Sequence, residues 1–225
     1  MQIELVRGHH PPENPQGVTV VIDVIRAFTT ACHAFHQQAS VIHPVFTADE
    51  AFALKQQLPE ALLVGEIEAL PIPGFDFGNS PWEISQTRLE GRPLIMRTTN
   101  GIAATLNARH SQQVLVAGLV NAEVTADWIK QHQFERVVLV ASHPTGDEDV
   151  ACAEYMRGLL GGDGITLAEA IERTRHASAA TKFIERHHPN LHPQDIDMAA
   201  ASLGDKGLVM GVSYRPEPQI LLLSA

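Results

Sequence analysis

The amino-acid sequence predicts an α/β protein with a three-layer αβα build around a largely parallel or mixed sheet. Three observations carry that expectation. Apolar, β-branched runs recur along the chain, each is followed by a polar loop and a helical pattern, and most are apolar throughout rather than alternating. Strands covered by helices on both faces read this way.

Taken in order, Val18–Ile25 leads into a helix over Ala27–Gln38. Ser40–Pro44 precedes a helix opening at Thr47, which forms a capping-box pair with Glu50. Ala61–Val64 opens a long irregular stretch, Gly65–Pro81. At its end Ser80, Pro81 and Glu83 read as the cap, first-turn proline and acid of a helix start. Pro93–Met96 enters Ile102–Ala108 through Thr98-Thr99-Asn100-Gly101. Gln113–Ala117 runs to Asn121, which reads as the N-cap of a helix ending near His132. Arg136–Ala141 runs through Ser142–Asp147 into a helix ending near Gly161-Gly162. Beyond Gly164 the pattern changes. Thr166 and Glu169 form a second capping box, and Leu167, Ala170, Ile171, Thr174 and Ala177 mark one face of a long helix. Pro189 and Pro193 break the chain, a short helix is expected over Asp195–Ala201, and Gly207–Ser213 and Gln219–Leu223 read as closing strands. No Pro/Ser-rich linker divides the chain, so residues 1–225 read as one domain with room for two subdomains.

Composition narrows the function. The 225 residues carry 26 acids and 16 bases, a formal charge of −10. Without a basic stripe, nucleic acid is an unsuitable partner. No apolar run approaches a membrane span of roughly 18 residues, and the start is too short and acidic for a signal peptide. Two cysteines, Cys32 and Cys152, make no disulfide framework, and a cytoplasmic home follows. The twelve histidines are scattered without zinc-ligand spacing. A symmetric homodimer suits an enzyme of this size.

Four polar clusters fall where strands enter helices, the edge at which open α/β sheets bind ligands. Asp23 and Arg26 lie at the end of an otherwise buried strand. An acid there needs a partner, either Arg26 itself or a cation. A dehalogenase-type phosphatase would need a second Asp two positions on, where Ile25 stands. In the stretch Gly65–Pro81, Glu66, Asp76 and Asn79 have no part in a helix start, and Asp76 and Asn79 are expected to touch a ligand. Arg97, Thr98, Thr99, Asn100 and Gly101 enter a helix, and free N–H groups there favour a phosphate or carboxylate. Asp147, Glu148 and Asp149 crowd a fourth helix start, where one acid complements the macrodipole and three repel one another unless a divalent cation intervenes.

The chain has no GxxxxGK[ST] loop, GxGxxG turn or GxSxG elbow. What remains is a set of hard oxygen ligands beside an anion site, which suits magnesium and phosphoester hydrolysis.

At these residues the chain resembles the 2-phosphosulfolactate phosphatase (ComB-like) family. VVIDVIRAFTT, Gly-Glu followed by PGFDFGNSP, TTNG and the Glu-Asp of GDEDVACA occur in that family's order along essentially the full chain. The resemblance implies a fold of that type, Mg²⁺ dependence and hydrolysis of a small anionic phosphate ester. By match to the motifs, the site comprises Asp23, Arg26, Glu66, Asp76, Asn79, Thr99, Asn100, Glu148 and Asp149. Within it, Asp23, Glu66, Asp76, Glu148 and Asp149 are expected to hold metal. Arg26, Asn79, Arg97, Thr98, Thr99, Asn100 and Gly101 are expected to hold phosphate, and Asp23, Arg26, Asn100 and Glu148 to act in catalysis. His143 is a secondary proton carrier. The chain departs from the family pattern at Ile67 and Ala103, where arginines are expected, and at Arg97, where a threonine is expected. These departures keep two alternatives open: a phosphatase for a different small ester, and a non-catalytic protein that binds an anionic metabolite.

Overall fold

In the computed structural model, which describes residues 1–224, the apolar runs assemble into a ten-stranded mixed sheet. The strands are β1 (Gln2–Arg7), β2 (Asn14–Ile22), β3 (Ile42–Pro44), β4 (Leu62–Ile67), β5 (Leu70–Pro71), β6 (Leu94–Arg97), β7 (Ser111–Ala117), β8 (Arg136–Ala141), β9 (Met210–Ser213) and β10 (Gln219–Leu222). The helices are α1 (Ala27–His36), α2 (Ala48–Gln57), α3 (Pro81–Ser85), α4 (Gly101–Asn107), α5 (Ala122–Gln131), α6 (Asp147–Leu159), α7 (Leu167–His176), α8 (Ser178–Ile184) and α9 (Pro193–Ala199).

Sheet order is β1-β8-β2-β7-β9-β10-β3-β6-β4-β5. β1, β8, β2 and β7 are mutually parallel, as are β3, β6 and β4. Three antiparallel pairings, β7–β9, β9–β10 and β10–β3, join the two groups and oppose their directions. Five neighbour steps separate β2 from β6. At about 20–25° per step the sheet turns through roughly 100–125° between them. That rotation offsets most of the reversal and lets both sets of carboxyl ends face one cleft. Asp23, just after β2, accordingly accepts the N–H of Gly101, just after β6, at 2.9 Å.

Helices cover the sheet on both faces. Phe28 of α1 and Ile102 of α4 pack with Val21 and Val116 from one strand group and with Val64, Leu94 and Met96 from the other. Trp128 of α5 and Met156 of α6 cover Ile22, Leu115 and Leu139 on the opposite face of the first group. Ala51 of α2 packs with Leu63 and Ile95 of the second. Burying each large side chain contributes roughly 1.5–3 kcal/mol. Among the described residues, no helix is long and apolar enough to cross a membrane.

Several boundaries differ from the sequence reading. β2 ends at Ile22, because Asp23 turns back to accept the Ala27 N–H at 2.9 Å. β1, unmarked in the sequence reading, adds a half-exposed edge strand beside β8. The long helix after Thr166 is two helices, since Ala177 is extended and separates α7 from α8. Pro193 starts α9 rather than breaking the chain. Asn121 does not cap α5; its amide accepts from Gly118 N–H and donates to the Val116 and Leu208 carbonyls. The stretch Gly65–Pro81 is partly regular: β4 continues to Ile67 and folds into a hairpin with β5. Its two turn residues, Glu68 and Ala69, lie at φ +53° and +71°, a left-handed conformation that non-glycine residues adopt at a cost.

Candidate active site

The cleft forms where β2, β4, β6 and β8 end, and its acids are set in place by backbone donors. Asp23 accepts Ala27 N–H through Oδ1 and Gly101 N–H through Oδ2. A Cβ on Gly101 would sit 2.6 Å from that Oδ2, so glycine alone permits the approach. Glu66, at the end of β4, accepts Thr99 N–H at 2.7 Å and Ala69 N–H at 2.6 Å. The second contact helps hold the left-handed turn. Asp149 in α6 accepts Val24 N–H at 2.8 Å through one oxygen, and His143 N–H and the Ser142 hydroxyl through the other. It staples the ends of β2 and β8 together.

Glu148, its neighbour, is buried, and its Oε2 has no partner. Its Oε1 lies against Gly146, where a Cβ would approach it to 2.8 Å. Gly146 lines the cleft, together with Asp23 and Glu66. Burial dominates the electrostatics. It pushes Asp23 up to about 6 against its two backbone donors, with the Glu66 charge adding to the rise. It pushes Glu148 up to about 7, helped by the charges of Asp23 and Asp147. Asp149 is raised by burial and by the same two acids, Asp23 and Glu148.

Donors face these acids across a cavity of about 290 Å³, the scale of a small metabolite. Thr99 and Asn100 line it from the start of α4, and Asn79 from the loop before α3. The Asn79 amide oxygen is buried without a partner. Asn100 Oδ1 is bound by His9 Nε2 at 2.7 Å, which leaves the Asn100 amide hydrogens free for a ligand. His143 Nδ1 accepts the Thr145 N–H, which puts the proton of the neutral ring on Nε2. Burial and nearby positive charge keep that ring neutral by lowering its pKa.

The structure redistributes the remaining expected residues. Asp76 is exposed, outside the cleft, and its carboxylate accepts Leu63 N–H at 2.7 Å. The Asp76 amide also donates to the Leu63 carbonyl, so the residue closes the loop against β4. Arg97 lies outside the cleft lining, and its guanidinium donates to the Glu66 carbonyl at 2.6 Å. Thr98 Oγ accepts the Ile102 N–H at 3.3 Å, capping α4. The Gly101, Thr99 and Ile102 N–H groups are taken by Asp23, Glu66 and Thr98, so three of the donors expected to greet an anion at this helix start are already occupied. Asp149 is likewise buried behind the cleft. Ile67 is half exposed and also outside the cleft.

Arg26 does not pair with Asp23. Its Nη1 donates to Asp195 of α9 at 2.7 Å, both side chains being essentially inaccessible, and its Nη2 to the Ala69 carbonyl at 3.0 Å. Asp195 also accepts the Ser80 hydroxyl at 2.6 Å and the Trp82 N–H at 3.1 Å. Ser178, Lys182 and Phe183 of α8 complete the cleft wall. The sequence reading missed these three and Asp195. A buried guanidinium implies a carboxylate partner somewhere, but nothing local indicates one 169 positions away.

Among the described residues, no three His, Cys, Asp or Glu side chains gather into a preformed metal cage. Magnesium needs none, because it keeps waters and takes one or two carboxylates with substrate oxygens. The unpartnered buried oxygen of Glu148, near enough to Asp23 for their charges to interact, offers one such carboxylate.

A family profile described as 2-phosphosulpholactate phosphatase matches residues 5–199. A probable 2-phosphosulfolactate phosphatase of Bacillus subtilis is 44% identical over 199 residues, 87% of each chain. One of Deinococcus radiodurans is 38% identical over 167 residues, 71% of this chain and 68% of that protein. The chain belongs to the 2-phosphosulfolactate phosphatase family.

Proposed function

We propose that this member of the family hydrolyses a small, multiply charged phosphate monoester, 2-phosphosulfolactate by the name its relatives carry, with magnesium as cofactor. The observation that carries the reading is the cleft itself, where Asp23 and Glu66 face Asn79, Thr99 and Asn100 across a metabolite-sized space beside the unpartnered Glu148. One or two of Asp23, Glu66 and Glu148 would hold magnesium, which when bound supplies Lewis acidity toward the phosphoryl group.

The chain's own groups do the rest. Thr99 and the Asn100 amide donate to phosphate oxygens, and the His9 contact fixes the Asn100 orientation. Arg26, anchored to Asp195 and Ala69, adds an oriented positive charge that needs no reorganisation during transfer. His143, which lines the cleft and as a neutral ring carries its proton on Nε2, is the group we assign to donate to the leaving oxygen. The cysteines take no part: both are buried in helices, and burial pushes Cys32 up to about 12 and Cys152 well above its usual range.

Phosphate release from 2-phosphosulfolactate tests this, with magnesium and with chelator. Magnesium-dependent turnover is expected. Turnover in excess chelator overturns the metal assignment, and turnover confined to a less acidic ester overturns the substrate.

A further inference from the structure

One cation of the cleft has no task in the reaction described above. Lys182 and Ser178 stand four residues apart on α8 and share a helical face, and both line the cavity. The face is held in place by Phe183, fully buried, with its ring centre 4.4 Å from the Arg26 guanidinium carbon. Arg26 is committed to Asp195 and Ala69. Lys182 is half-buried, and among the described residues no carboxylate lies within ion-pair distance of its ammonium. An ammonium partly withdrawn from water loses hydration that an ion pair normally replaces. Here the protein supplies no such pair: the Phe183 ring centre lies 5.8 Å from the ammonium, and Glu66, Glu68 and Glu148 act on it only from beyond ion-pair distance. The side chain borders the space the substrate would enter.

We infer that Lys182, assisted by the Ser178 hydroxyl, is the subsite for a second anionic group of the ester, a sulfonate or carboxylate, and so sets the preference for polyanionic over plain phosphate monoesters. The inference rests on the phosphatase reading and extends it to specificity. It also supplies a second cation in a cleft whose other one, Arg26, is already paired with Asp195.

The test compares wild type, Lys182→Met and Lys182→Arg on 2-phosphosulfolactate, 2-phospholactate and ethyl phosphate, with thermal melting to confirm folding. A charge-assisted contact corresponds to roughly a 10- to 100-fold change in affinity. Lys182→Met is expected to raise KM for 2-phosphosulfolactate by that factor, to change kcat/KM for ethyl phosphate less than about threefold, and to be largely rescued by Arg. A matching KM rise on 2-phospholactate identifies the group held as the carboxylate, and none identifies it as the sulfonate. Equal losses on all three esters, or no loss on any, overturn the inference. A wild type inactive on every ester overturns the reaction instead. Calorimetry with sulfolactate then decides the subsite: binding lost in Lys182→Met supports it, and equal or absent binding in both proteins overturns it.

Discussion

The two walls of the cleft are held by different means. On the strand-end wall, Asp23, Glu66 and Asp149 each accept two backbone N–H groups, so the main chain itself aims them. The wall contributed by α8 and α9 depends on side chains: the Arg26–Asp195 pair, the Phe183 ring over Arg26, and a small apolar cluster of Ala180, Phe183, Leu191 and Ile196. Backbone-held acids stay near one another although their charges repel. The side-chain-held cap leaves Lys182 with the Phe183 ring beside it and no carboxylate within ion-pair distance among the described residues. The proposed chemistry thus falls on the backbone-held wall, and the proposed discrimination between substrates on the other.

The largest expected effect falls on the rigid wall. Asp23→Asn removes one charge from the cleft while keeping a carbonyl oxygen for one of the two N–H donors. kcat/KM is expected to drop by more than about 10³-fold, the range typical for losing a transition-state electrostatic group. Melting should change little, since relief of a buried charge offsets one weakened hydrogen bond. A variant that keeps activity would show that Asp23 serves only to join α1 and α4.

On the cap, Asp195→Ala strands a buried guanidinium, which costs about 3–5 kcal/mol. Urea unfolding should show that loss, with phosphate release falling as Arg26 loosens. A midpoint unchanged by the substitution would mean that the cap is held by its apolar cluster alone.

The strand-end acids also predict a pH dependence in metal-free protein. Asp23 and Glu148 are raised from ordinary carboxylate values to about 6 and about 7. At these two sites the folded chain therefore binds more protons than the unfolded one between about pH 4 and 7, and their contribution to stability falls as pH rises through that window. His33, pushed down to about 4 by burial, contributes with the opposite sign. Measured against Glu148→Gln, wild-type melting should lose ground between pH 5 and pH 8, and added magnesium should recover that loss near pH 8. A melting temperature that does not respond to magnesium at the higher pH would separate these acids from metal binding. The smallest effect is expected for Asp76→Asn, outside the cleft, which should leave kcat/KM within about threefold of wild type.

Much of the strand-end wall was legible in the sequence. An acid in VVIDVI, Thr-Thr-Asn-Gly before a helix and acids in the first turn of another are local patterns, and local geometry places their residues at strand ends. Asp76 misled for a physical reason. An Asp beside phenylalanines in an ordered loop looks the same whether its carboxylate meets a ligand or closes the loop on Leu63 N–H. Arg97 and Thr98 misled in the same way, since polar groups at a helix start serve caps and carbonyls as readily as anions. Lys182 and Asp195 carried no local mark, each being a charge on a short helix with no distinguishing pattern around it.

Element types, their order and the acids of the strand ends follow from residue periodicity and turn chemistry, which act over a few positions. The assignment of those acids to cleft, staple or loop closure does not. It came from the way two opposed strand groups bring their ends to one cleft, and from contacts between residues up to 125 positions apart. Such contacts depend on how whole layers pack, and no short stretch of chain encodes them.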